Sequence, residues 1–131
     1  MTAGLPAGFV DPLDLEQVTA VFAAARTQLG IAGLVELVAR VPGIVVDPGR
    51  PARRLQRAIP ATVSSGQDML RFSEPIRREH VVGGVVISRA DVPAGKVAAQ
   101  LAQMCRDAIE EAGQAEDASV ALTAARDALQ L

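Results

Sequence analysis

The sequence predicts an α+β domain: an antiparallel sheet of three to four strands with N-terminal and C-terminal helices packed on one face. Three observations carry this. Apolar residues recur at helical spacing before residue 40 and again after residue 96. Short valine-rich runs bounded by Gly, Pro, Asp and Ser fill the middle. Strands and helices do not alternate, which sets aside a doubly wound parallel sheet.

Residues 1–10 read as a flexible leader and residues 11–131 as a single α+β domain. Asp11-Pro12 is a good helix start, a capping residue before a proline, with Asp14 in the positive first turn. Leu15, Val18, Val21, Phe22, Ala25 and Leu29 fall on one face, and Gly30 is a stop. A second helix over about 31–40 ends at Pro42-Gly43. Residues 44–46 form a short strand, and Asp47-Pro48-Gly49 is a turn. Residues 50–60 are basic and bounded by prolines, either a short helix or an irregular loop. Residues 61–65 and 68–73 read as two strands. Residues 76–89 read as the longest strand, interrupted by Gly83-Gly84. Val97, Ala98, Leu101, Met104, Cys105, Ala108, Ile109 and Ala112 define an amphipathic helix, and an alanine-rich helix closes the chain.

Half of the 131 residues are hydrophobic, enough to build a core and to argue against disorder. Trp and Tyr are absent, so base stacking on aromatic platforms has little to work with, and a net charge of −2 gives no general attraction to phosphate. Nucleic acid is therefore not an expected partner. Cys105 is the single cysteine, which rules out an intramolecular disulfide. The first residues lack signal-peptide character, and no run of about 18 apolar residues is evident. A cytoplasmic location without a membrane partner is expected. Charge is segregated: side chains sum to −2 over residues 1–46 (2 positive, 4 negative), +4 over 47–90 (8 and 4) and −4 over 91–131 (3 and 7).

The candidate binding residues lie in the basic middle. Arg50, Arg53, Arg54 and Arg57 would form one stripe on a helix, and guanidinium forks suit carboxylates and phosphates. On a strand, Arg78 and His80 share one face, and Arg77 and Glu79 the other. His80 is the sole histidine and the sole side chain with an ordinary pKa near neutrality. Gly83-Gly84 reads as a bulge or bend that curls the strand over the 97–112 helix, or as a point where a ligand approaches the backbone. No phosphate-binding glycine motif surrounds it. A ligand site would use Arg53, Arg57, Arg78, His80, Gly83 and Gly84.

No catalytic set, metal site or cofactor motif is expected. His80 has no second histidine beside it, Cys105 sits on an apolar helix face, and the serines lack a nucleophile-elbow context. The order helix, sheet, helix is loosely similar to that of YbaB-type nucleoid proteins and of profilin-like sensory domains, on element order with no residue motif. Abundant Ala, Val, Arg and Gly with a single Lys looks like the small proteins of actinobacteria. The first functional expectation is a non-enzymatic module that works by association, as a homodimer or a protein adaptor. The alternative is a sensory or carrier domain for an anionic small molecule. An oligomeric enzyme using His80 as base comes third.

Overall fold

A computed structural model describes residues 8–131. Helix α1 (Leu15–Val38) precedes five strands: β1 (Val45–Asp47), β2 (Thr62–Ser65), β3 (Asp68–Arg71), β4 (Arg77–Val82) and β5 (Val85–Asp91). A single 3-10 turn at Ala94–Lys96 leads into α2 (Val97–Ala112) and α3 (Ala115–Ala128). The strands form one antiparallel meander in the order β1-β2-β3-β4-β5. The α+β class is as the sequence predicts, with five strands rather than three to four.

The additional strand comes from Gly83-Gly84. The segment expected as one bent strand is a hairpin, β4 and β5 folded about these two residues. Their φ angles are +60° and +81°. A two-residue hairpin turn of the I′ kind needs positive φ at both central positions, which glycine alone adopts without strain. β5 is consequently an edge strand, and no central strand curls over α2.

The N-cap of α1 lies three residues beyond the expected one. Asp14 is the N-cap, and its carboxylate accepts from the backbone N–H groups of Glu16 and Gln17 at 3.1 and 3.3 Å. At Gly30 the backbone leaves the helix (φ 73°, ψ −174°). The two helices read from the sequence are therefore the two halves of α1. By length and composition α1 is apolar enough to cross a membrane, with mean hydropathy 1.5 over its best window, which corrects the expectation that no such stretch exists. Here Val18, Val21, Phe22, Ala25, Leu34, Val35, Leu37 and Val38 of this helix are buried in the core.

α2 is the centre of that core. Its buried stripe lies against α1 on one side and β2 on the other, with Val63 and Leu70 buried beneath. Cys105 belongs to the stripe, and burial pushes its thiol from an ordinary value of 9.0 up to about 12. The folded chain thus holds this thiol protonated. Stability from this group is present below pH 9.0 and declines above it, because the unfolded thiol ionises first. Iodoacetamide at about pH 8 should leave the native chain unmodified and alkylate it fully in urea, read by mass spectrometry. Labelling of the native chain at the unfolded rate would contradict the burial.

α3 holds the start of the domain. The Val10 N–H donates to Thr123 Oγ1 at 2.9 Å, and Ser119 Oγ donates to the Val10 carbonyl at 2.6 Å. Val10 is itself a core residue. Of the leader expected over residues 1–10, residues 1–7 lie outside the described residues, whereas Val10 is anchored. Thr123→Val keeps the shape but orphans a buried N–H. It should lower unfolding stability by about 1–3 kcal/mol in urea denaturation.

Candidate functional site

Cross-strand pairing fixes what each face of the sheet presents. Leu70 pairs with Arg78, and Asp68 with His80. Arg78 and His80 therefore share a face with Leu70, and Val63 pairs with Leu70 on that same face. Under the helices the face is apolar and buried. Farther across, at β4 and β5, it opens to water: Arg78 is exposed and His80 half-buried. The sheet is wider than its helical cover.

A carboxylate, a guanidinium and an imidazole meet on this open stretch. Asp68 Oδ1 accepts from Arg78 Nη2 at 3.4 Å and lies 3.5 Å from His80 Nδ1. With Ser88, Arg89 and Ala90 they line a shallow cleft of about 330 Å³. The carboxylate that a ligand would offer to Arg78 is already supplied by Asp68. Arg53 and Arg57 are not among the lining residues. They stand on the loop between β1 and β2, which is irregular rather than helical, so the expected one-sided arginine stripe does not form. The sequence-predicted ligand set is thus split, with Arg78 and His80 in the cleft and Arg53 and Arg57 on a separate projection. Gly83 and Gly84 sit at a hairpin tip, where a Cβ on either would meet nothing within 4 Å. Their glycine character serves the turn.

Ser88 is paired directly opposite His80. Asp68, His80 and Ser88 thus follow one another across three strands. A nucleophile must lie within hydrogen-bond reach of its base, and no such bond joins Ser88 to His80. Among the described residues, no group of His, Cys, Asp and Glu side chains could hold a metal ion.

The other face of β3 to β5 is a charge lattice. Arg71 and Arg77 are directly opposed, an unfavourable pairing that two acids relieve. Arg77 Nε lies 3.6 Å from Asp91, while Arg71 bonds Glu79 at 3.0 Å. Glu79 also faces Arg89 at 3.8 Å and is only 4% exposed. Two guanidinium groups cover this buried carboxylate and compensate its removal from water.

A further feature is apolar and was not singled out by sequence reasoning. Between His80 and Val81 the β4–β5 register shifts by one: His80 pairs with Ser88 but Val81 with Val86, leaving Ile87 as the extra residue of a bulge. Val82 follows His80 by two and so lies on the same face. Its partner Val85 joins it, and Ile87, where the bulge interrupts the alternation, stands two residues farther along the same strand. Val85 is 61% exposed and Ile87 59%, and Val82 is exposed too. They make an apolar strip along the last hairpin. Beside it, β5 pairs with β4 alone among the described residues, and its outer backbone groups have no partner strand there. A Gly-Gly pair flanked on each side by two valines is a hairpin signal in the sequence. It could have placed these residues at an edge.

The fold and this surface define a class: a single α+β domain whose helices cover part of a five-stranded antiparallel meander, with an open apolar edge hairpin. The chain belongs to the family described as domain of unknown function DUF5073, whose model matches residues 10–131. No curated protein and no solved structure matches the chain.

Proposed function

We propose that this chain is a cytoplasmic module that acts by association, and that it pairs with a second copy of itself through β5. The observation that carries the reading is the β4–β5 hairpin. Its outer strand has seven residues, an unpaired backbone edge, and the exposed strip of Val82, Val85 and Ile87 beside it. Exposed edges of this length are usually covered, shortened or charged.

A second copy suits the edge because an antiparallel strand pair is self-complementary about a two-fold axis. An axis beside Ile87 sets the two Ile87 side chains together and merges both apolar strips. In that register Arg89 is not set opposite the other copy's Arg89, so these like charges do not oppose. Such a pair continues the sheet to ten strands without disturbing either core. Sedimentation equilibrium at about 10 μM, a concentration suited to a micromolar dissociation constant, should give twice the chain mass. A monomer at every accessible concentration would end this reading.

A further inference from the structure

Outside the β5 edge, the largest concentration of unsatisfied charge is the connection between β1 and β2. Residues 51–59 are all exposed. They form a narrow ribbon. Arg50 and Ile59 exchange reciprocal backbone hydrogen bonds of 2.9 Å, and Arg53 and Gln56 exchange bonds of 3.0 and 2.9 Å. Arg54 and Leu55 are the two residues at the tip. The base is fixed as well. The Gly49 N–H donates to Asp47 Oδ1 at 2.9 Å, and Gly49 (φ +67°) packs so closely on the Ile59-Pro60 backbone that a Cβ has no room. The ribbon is a built projection.

Its guanidinium groups have no acidic partner among the described residues. Arg50, Arg53, Arg54 and Arg57 form no ion pair with any described residue, whereas Arg71, Arg77, Arg78, Arg89, Arg106 and Arg126 each have an acidic partner. Leu55 is 97% exposed. Four unpaired guanidinium groups around a bare leucine present two chemistries together, bidentate donors for oxyanions and an apolar anchor.

We infer that this ribbon is a docking arm for a second protein that presents clustered carboxylates around an apolar residue. The charge balance decides between anionic partners. The chain carries −2 in all and the ribbon +4, so the remainder carries −6. A lipid surface or a nucleic-acid duplex is an extended anion and repels that remainder. A short acidic segment touches the arm alone, and at physiological ionic strength the acidic body is screened beyond about 8 Å. The ribbon also lacks an aromatic residue on which a base could stack. The arm hangs from β1 and β2, across the sheet from the β5 edge, so it stands apart from the proposed dimer contact.

The probe is a fluorescein-labelled synthetic peptide with glutamates flanking a central leucine, compared with its Gln-for-Glu counterpart, phosphatidylglycerol vesicles and a short DNA duplex. The full chain should bind the acidic peptide, lose affinity as salt is raised, and ignore the other three. The triple variant Arg53→Glu, Arg54→Glu, Arg57→Glu should weaken binding at least about tenfold, and Leu55→Ser severalfold, with circular dichroism unchanged. The inference is overturned by absent peptide binding, by equal binding in the triple variant, or by a preference for vesicles or duplex.

Discussion

Ile87→Arg should leave the monomer folded and dissociate the dimer, raising its dissociation constant at least about 100-fold, or about 2.7 kcal/mol. The residue is 59% exposed, so the substitution makes little demand on the core. In the pair it sits beside the two-fold axis, and symmetry places the substitution twice. Two guanidinium groups would then meet where two isoleucines met. Like charges opposed across strands are destabilising, and each would also lose water on association. Natural sheets use inward-pointing charge on edge strands to prevent this kind of pairing. Val120→Arg is the matched control. Val120 on α3 is likewise an exposed large apolar residue, far in sequence from the edge, and this variant should sediment as the parent does. Loss of the dimer in both variants would point to general charge effects and away from β5.

Phe22→Ala should cost about 3–5 kcal/mol of unfolding stability, a large share of the 5–15 kcal/mol typical of a domain. Phe22 is among the largest side chains with no exposure, and it lies on the α1 face that packs on α2. With no Trp or Tyr in the chain, small aliphatic side chains build the rest of the core, and none can swing in to fill a ring-sized void. The melting temperature should fall by on the order of 10–20 °C. A drop of only a few degrees would mean that α1 relaxes readily around the vacancy, through its break at Gly30.

The helical part of the fold was plain in the sequence because burial there is one-sided. The stripe of residues 97–112 is α2 to the residue, and the stop at Gly30 is a real interruption of α1. The helix start is ambiguous in the sequence because Asp11 and Asp14 are both capping residues and both make capping-type bonds. Asp11 Oδ1 accepts from the Leu13 N–H at 3.0 Å, which closes a turn before the helix and leaves the cap itself to Asp14. The sheet was harder to read. A run such as residues 81–87 contains only valine, glycine and isoleucine, so periodicity could not separate one bent strand from two paired ones.

The candidate site was legible in part. That Arg78 and His80 share a face follows from alternation alone. That Asp68 would sit beside both depends on the register of β3 against β4, set by the turn and loop lengths rather than by local residue type. The split between Arg78 and the Arg53–Arg57 pair is likewise topological. Four arginines at helical spacing suggested one face, but Pro51, Pro60 and the reciprocal bonds of the ribbon hold that segment extended. The exposure of Val85 and Ile87 could not be read from composition, because an apolar strand residue is ordinarily buried. Their exposure follows from a sheet that outgrows its helices.

Amide hydrogen exchange along β5 at two protein concentrations, one well above and one well below the dissociation constant, tests the edge pairing most directly. Those β5 N–H groups that do not bond to β4 should be protected at high concentration and exchange freely at low concentration. The α2 amides should stay protected at both. Rapid exchange of the outer β5 amides at every concentration would show that the edge stays open and would contradict association through β5.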